Sequence, residues 1–253
     1  MKKLTTVLLL AVLVSCNQQK NETSDSSKET ISTTETPLSS TANQLSGNWI
    51  SKPYLENIAK TKSIYPHRNA AIPLFIKLNK DELLKGDATL QGFTAHEGGL
   101  DAKLKFDETK KEFVINGKSD DPTYKDFSGI KPNGDHLEMV YKGKTEIYQK
   151  FDGDPQNELR KMLFEGNYTE KNATKVNFGV DGKVNFKDYT QYEVMYDFAD
   201  GTQTFDGILL GKGNSTKDLY QFKIKGNTIE LQQMKESEQG FKAEGEKYIL
   251  TKK

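Results

Sequence analysis

Most of the chain after residue 45 consists of short segments in which apolar and polar residues alternate. In 219–224, for example, Tyr220, Phe222 and Ile224 share one face, and polar residues occupy most of the other. Turn residues such as Asp181-Gly182 separate the segments. The predicted strands are 47–52, 72–78, 87–94, 99–106, 111–116, 136–142 and 145–151 in the first half, and 166–170, 174–179, 182–187, 190–198, 205–210, 218–225, 227–234 and 246–251 in the second. Many short antiparallel strands at this spacing predict an all-β barrel or sandwich.

Two short helices interrupt the strand pattern. Residues 53–60 form the first, because their apolar positions share one helical face. The second begins at Asp154-Pro155, with Asp154 as the N-cap and Pro155 as the first helical residue. Its apolar stripe is formed by Leu159, Met162 and Leu163. We expect this second helix, 155–164, to connect the two halves.

The two halves share their opening motif and their order of segments. Gly47-Asn48-Trp49 in the first half matches Gly166-Asn167-Tyr168 in the second, and each is preceded by a large apolar residue two positions earlier. A Gly-Asp or Gly-Asn turn at 134–135 and 226–227 then opens a strand of alternating apolar residues. This order predicts two tandem units of about 90–105 residues each. One larger barrel shared by both halves is the alternative architecture, and a chance likeness between two β-rich halves is the alternative to duplication.

The N-terminus reads as a short secretory signal. Lys2 and Lys3 precede an unbroken apolar run at 7–14, which is too short to span a bilayer as a helix. The run ends in Leu13-Val14-Ser15-Cys16, which resembles the lipobox of bacterial lipoproteins. The resemblance implies cleavage before Cys16, a diacylglycerol thioether on that cysteine and usually an N-acyl chain. An ordinary signal peptide with a chance cysteine is the alternative.

Two or more acyl chains would hold the protein on a membrane stably. Asn17 follows the cysteine, whereas the inner-membrane retention signal of some lipoproteins is an Asp, so the resemblance implies the outer membrane. The body then faces either the periplasm or the exterior. Residues 17–44 are rich in Ser and Thr and almost free of large apolar residues, which predicts a disordered tether. The predicted organisation is therefore signal peptide 1–15, anchor and tether 16–44, first β unit 45–152, and linking helix with second β unit 153–253.

Charge and cysteine content exclude several functional classes. The chain has 36 basic and 36 acidic residues, and removal of Lys2 and Lys3 with the signal leaves 34 against 36, or −2. A balanced charge offers no electrostatic footprint for nucleic acid. The single cysteine excludes an intrachain disulfide and a Cys-based zinc site. The partners expected from the sequence are the membrane, through the anchor, and a small apolar ligand or an envelope protein.

Gly47-Asn48-Trp49 also resembles the Gly-x-Trp signature at the first strand of lipocalins and related calycin barrels. The resemblance implies an up-and-down barrel, closed at its base by Trp49, that binds a small apolar ligand in its mouth. A barrel whose interior is filled by its own side chains is the alternative.

Few residues carry a chemical signature. His96 and Glu97 follow an aromatic strand, and we predict that this pair contacts a ligand, the alternative being an exposed hairpin that turns at Gly98-Gly99. The three histidines, at 67, 96 and 136, lack metal-ligand spacing, so no metal and no cofactor are predicted. No nucleophile or phosphate-loop motif is present. The sequence thus favours a membrane-anchored, non-catalytic binding protein, and the alternative is an envelope hydrolase acting on glycan or lipid through carboxylates that the fold brings together.

Overall fold

The alternating segments form the walls of two separate antiparallel barrels. The structure is a computed structural model that describes residues 35–69, 73–96, 98–117, 127–141, 143–171, 173–199, 201–213 and 217–253. The strands of the first barrel are β1 Gly47–Ser51, β2 Phe75–Leu78, β3 Asp87–Phe93, β4 Gly98–Asp107, β5 Glu112–Ile115, β6 Phe127–Asn133, β7 His136–Tyr141 and β8 Lys144–Phe151. Those of the second are β9 Gly166–Glu170, β10 Lys175–Phe178, β11 Lys183–Phe186, β12 Tyr189–Val194, β13 Gly207–Gly211, β14 Lys217–Lys225, β15 Thr228–Ser237 and β16 Gly240–Lys252.

Each barrel closes on itself. In the first, each strand pairs with the next in sequence order, and β1 pairs with β8 through the register Asn48↔Phe151. In the second, β9 pairs with β16 through Thr169↔Thr251. The prediction of an all-β protein with two tandem antiparallel barrels is therefore confirmed, and the alternative of one larger shared barrel is wrong.

Side chains fill the interior of both barrels. In the first, Trp49, Leu104, Phe113, Met139 and Tyr148 are at most 2% exposed. In the second, the ring of Phe164 packs against three others, at centroid distances of 5.5 Å to Phe178, 5.8 Å to Tyr192 and 4.9 Å to Phe222. Burying each such ring stabilises the fold by about 1.5–3 kcal/mol. The Gly-x-Trp resemblance implied a ligand inside the barrel. The packed side chains do not support that expectation.

Four helices accompany the barrels in the described residues: α1 Pro37–Leu45, α2 Lys52–Thr61, α3 Lys80–Leu84 and α4 Pro155–Leu163, with a 3-10 turn at Tyr65–His67. α2 and α4 are the two predicted helices. Asp154 caps α4 as predicted, because its side chain accepts a hydrogen bond from the Gln156 N–H at 2.9 Å.

The prediction that the tether continues to residue 44 is wrong. Thr36 caps α1 and Pro37 is its first residue, while Ala42 and Leu45 are fully buried as the helix packs against α3 and β6. Composition alone missed this helix because its stability comes from burial against the first barrel. The remaining tether residues up to 34, together with the predicted signal segment, lie outside the described residues.

The base of each barrel is closed in the same way. The Trp49 indole N–H donates to the Leu45 carbonyl at 2.8 Å, and the ammonium of Lys150 lies 5.2 Å from the centre of the indole. The Lys150 side chain passes directly over Gly47, whose φ of +116° and missing Cβ permit that approach. The closure thus consists of a nine-residue helix, a strand that begins Gly-Asn-aromatic, and a lysine from the last strand.

The second barrel repeats this closure with other side chains. The Tyr168 hydroxyl donates to the Phe164 carbonyl at 2.8 Å, and the Lys252 ammonium lies 5.8 Å from the centre of the tyrosine ring. Gly166, with φ +140°, lies under that lysine. The motifs that the two halves share in sequence therefore occupy equivalent positions in the two barrels.

One strand was missed from sequence. β6 contains Gly129 and Pro132, which are typical of turns, and its pairing with β7 shifts register between Phe127 and Gly129. A Cβ at position 129 would come within 2.5 Å of the Phe113 carbonyl on β5, so the glycine allows the two strands to pair closely. Tertiary pairing thus outweighs the local preference of this segment.

Candidate functional site: the cleft between the barrels

The connection between β1 and β2 fastens the two barrels to each other. It carries α2 and the 3-10 turn, whereas the equivalent connection of the second barrel, between β9 and β10, has only four residues, 171–174. The Asp206 carboxylate of the second barrel accepts hydrogen bonds from Ser63 Oγ at 2.5 Å and from the backbone N–H groups of Ile64 at 2.6 Å and Tyr65 at 2.7 Å. We call this contact the Asp206 clamp.

Aromatic contacts extend the same junction. The Tyr65 ring meets Phe198 edge to face at 5.2 Å, and Phe75 meets Tyr196 in the same way at 6.0 Å. Leu159 and Leu163 of α4 are buried in a cluster that also contains Ile50 and the interior of the second barrel. Residues 35–253 therefore pack as one unit.

Two adjoining pockets lie beside this junction, and together we call them the inter-barrel cleft. The first, of about 440 Å³, contains the rings of Phe75, Phe93, Phe151 and Tyr196, for which we call it the apolar pocket, and polar side chains complete its lining. The polar pocket, of about 380 Å³, includes Arg68, Asn69, Asp197 and Phe198. Residues 94–96 and Tyr196 line both. Each volume lies in the range of roughly 300–1,000 Å³ that is typical of small-molecule sites.

His96 lies where the two pockets meet. It lies three residues after the end of β3, and its Nδ1 is 2.8 Å from an Asp197 carboxylate oxygen, so the pair joins a loop of each barrel. Both side chains are about half exposed, which limits the stabilisation that this pair provides. The structure thus places His96 beside a cleft between the barrels, and its predicted contact with a ligand stays a prediction. Glu97 and Cys16 lie outside the described residues, so their predicted roles stay predictions.

Arginine, lysine and tyrosine side chains supply hydrogen-bond donors to the cleft. The Arg68 guanidinium lies 4.1 Å from the centre of the Tyr65 ring and donates to the Tyr65 carbonyl at 2.9 Å. Lys77, on β2, is exposed and lines the apolar pocket. Burial, followed by the negative charges of Asp154 and Asp197, raises the pKa of Tyr196, so this residue stays a neutral hydroxyl at physiological pH.

A buried hydroxyl lies close to Tyr196. Tyr54, on α2, is 1% exposed, and its hydroxyl has no hydrogen-bond partner within the described chain. Burial, followed by its proximity to Tyr196 and Asp206, raises the pKa of Tyr54 well above its usual value. A buried polar atom without a partner is costly, so water or a ligand atom that reached it would be bound favourably.

Further pockets of the described surface lie outside the cleft. One, of about 360 Å³, is lined by Tyr168 and Val176 of the second barrel and by polar side chains around them. A pocket of about 200 Å³ beside α4 contains the buried Arg160, whose Nε has no partner, but the lysines around it are paired with Asp181 and Glu193. No group of three or more His, Cys, Asp or Glu side chains that could hold a metal ion occurs among the described residues. Where the pKa of a described carboxyl group departs from its ordinary value, hydrogen bonds from lysines, from backbone amides or, in one case, from an asparagine side chain lower it.

Sequence reasoning missed most of the cleft, although one signal was present. β1 and β2 carry adjacent apolar residues, Trp49-Ile50 and Phe75-Ile76, where a barrel strand with one solvated face should alternate. Apolar residues on both faces indicate a second covered surface, which here is the junction. Arg68, Tyr196 and Asp197 lie on connections, and no local pattern indicates that these connections meet.

No helix within the described part of the chain is long and apolar enough to cross a membrane. Comparisons of the chain with protein-family models, with curated proteins and with solved structures find no match.

Proposed function

We propose that this chain is a lipid-anchored, non-catalytic binding protein of the bacterial outer membrane, and that a small apolar ligand binds in the inter-barrel cleft. The observation that carries the proposal is the contrast between the barrel interiors and the cleft. Both interiors are filled by buried side chains, whereas the cleft is a concave space lined by aromatic rings together with polar and charged side chains. Aromatic side chains beside polar groups that can orient a ligand are common components of a small-molecule site.

The anchor rests on the sequence. The basic start, the apolar run and the lipobox-like ending at Cys16 together support lipidation of that cysteine. Since α1 begins at Pro37, the tether between the anchor and the first barrel is proposed to span residues 17–36. Such a chain would reach about 25 Å if it is flexible.

The non-catalytic part of the proposal rests on the acidic residues of the cleft. Asp197 is the one carboxylate among the described residues that line the two pockets, and it is bound to His96. A glycosidase or a comparable hydrolase needs two carboxylates, one of them with a raised pKa. The described part of the cleft gives the hydrolase alternative no such pair.

Native mass spectrometry tests the cleft. The mature chain from Cys16, expressed without its signal segment and hence without acyl groups, should carry or take up a fatty-acid-sized apolar ligand. The variant Phe93→Ala should weaken uptake, because Phe93 is a half-buried ring of the apolar pocket. Ile249→Ala is the matched control, since Ile249 is an exposed apolar residue on β16. A ligand-free spectrum with no uptake of fluorescent fatty acids would exclude the carrier and leave an envelope protein as the partner.

Metabolic labelling tests the anchor. The full chain with its signal should incorporate an alkyne-tagged palmitate and fractionate with the outer membrane. Cys16→Ser removes the sole thiol and should abolish both results. Continued labelling of the serine variant would contradict the lipoprotein assignment.

A further inference from the structure

We infer that the ligand of the inter-barrel cleft is an anionic amphiphile, with its tail against the aromatic rings of the apolar pocket and its acidic head group at Arg68 in the polar pocket, while Lys77 adds positive charge to the cleft. This inference rests on the proposed function and adds the charge and the orientation of the ligand. A single-chain fatty acid is the simplest member of this class.

Arg68 has the donors that an acidic head group needs. A guanidinium carries five N–H donors, and a single bond, to the Tyr65 carbonyl, uses one of them within the described chain. Neither Arg68 nor Lys77 forms an ion pair with any described carboxylate. A carboxylate or phosphate is the acceptor that a guanidinium binds best, often through two parallel hydrogen bonds.

In contrast to Arg68 and Lys77, some lysines of the barrels already have an acidic partner, as in Lys131–Glu138 at 3.2 Å, Lys217–Glu193 at 2.5 Å and Lys235–Glu244 at 2.9 Å. Within the described residues, the cleft therefore has two cationic groups without an acidic partner beside aromatic rings. That combination complements the two ends of an anionic amphiphile.

The negative charges near the cleft are already bound. Asp197 is held by His96, and Asp154 caps α4 through the Gln156 N–H. Each has a local partner that a ligand would have to replace. An approaching cation would meet these occupied carboxylates as well as the two cationic side chains.

Arg68 is also held in place by the junction. The Asp206 clamp fixes the backbone of Tyr65, and Tyr65 in turn holds the guanidinium through its ring and its carbonyl. A side chain that is ordered before binding loses less entropy when the ligand arrives. The contacts of the junction thus hold the Arg68 guanidinium in place at the cleft before a ligand binds.

Calorimetric titration with three probes of equal tail length tests the inference: decanoate, decanol and decyltrimethylammonium, each as monomers with the mature chain from Cys16. We expect decanoate to bind most tightly, with an affinity that falls as salt is added. Arg68→Gln should weaken decanoate binding by about fivefold to tenfold and leave decanol unchanged, since an exposed charge-assisted bond is lost. Arg68→Lys should retain part of the affinity because it keeps the charge.

The controls separate this inference from the proposed function. Lys223→Gln removes an exposed lysine on β14, outside the cleft, and should leave every titration unchanged. If none of the probes binds, the proposed function itself fails. If all three bind equally, or if Arg68→Gln has no effect on decanoate, the cleft is an apolar site and this inference is wrong. Tightest binding of the cationic probe would also overturn it.

Discussion

Removal of the Asp206 carboxylate should uncouple the two barrels. In Asp206→Ala, the backbone N–H groups of Ile64 and Tyr65 and the hydroxyl of Ser63 lose their shared acceptor. The backbone of Asp206 stays in place, because its carbonyl accepts a bond from the Phe222 N–H at 2.9 Å. The variant therefore tests the clamp without breaking the second barrel.

The size of the effect follows from the two amides. Ile64 is completely buried and Tyr65 is half-buried, so water replaces the lost carboxylate incompletely. A buried donor without a partner costs about 1–3 kcal/mol, which gives about 3 kcal/mol for the pair when partial hydration is allowed for. In a body of this size, that loss lowers the melting temperature by about 6–12 °C.

Two spectroscopic signals distinguish uncoupling from general destabilisation. Trp49 is the single tryptophan and lies in the core of the first barrel, so its fluorescence reports that barrel, whereas far-ultraviolet circular dichroism reports both. In urea, the two signals should coincide for the wild type and separate for Asp206→Ala. Asp188→Ala, which removes an exposed carboxylate paired with Lys212, is the matched control and should behave as the wild type. An unchanged, coincident transition in Asp206→Ala would refute the reasoning.

Three further changes test the barrel closures and the effect of pH. Tyr168→Phe deletes the bond to the Phe164 carbonyl and should lower the free energy of unfolding by about 1–2 kcal/mol in urea, so an unchanged midpoint would contradict the closure. Gly166→Ala places a Cβ 2.8 Å from the Lys252 Cε at φ +140° and should cost about 1–3 kcal/mol, whereas equal stability would show that the strand relaxes freely. Hydrogen bonds from a neighbouring asparagine amide and lysine ammonium hold the pKa of Glu138 below its usual 4.5. The stability that Glu138 contributes is therefore fully present above pH 4.5 and is lost as the pH falls through the folded-state pKa. Scanning calorimetry should show a melting difference between the wild type and Glu138→Gln at pH 7 that shrinks at pH 3, and a constant difference would exclude this linkage.

Local patterns predicted the barrel walls well. Alternation identified the second-barrel strands β12 and β14, and the Asp154-Pro155 cap identified the start of α4. These features are local because a pleated strand with one buried face, or a capped helix end, has its signal within a few residues. β6 and α1 were missed for the opposite reason, since pairing with β7 and burial against α3 stabilise them despite unfavourable composition.

One of the two residues predicted to contact a ligand lies within the described chain. His96 was selected from sequence because a polar residue follows an aromatic strand, and the structure puts it on the wall of the cleft. Its partner Asp197 lies 101 positions away, and nothing local to either residue indicates that they meet. Arg68 was not selected, because a lone exposed arginine has no distinguishing neighbour in the sequence.

The sequence by itself determined two similar β units, most of their strands, a linking helix and the lipobox-like segment at Cys16, because each follows from residues close together in the chain. Only the tertiary structure decided that each unit closes separately, that their interiors are filled and that a cleft lies between them. The Asp206 clamp shows the physical reason, since it joins residues 142 positions apart. Such contacts depend on which surfaces remain to be buried after each barrel has formed, and that is a property of complete surfaces rather than of neighbouring residues.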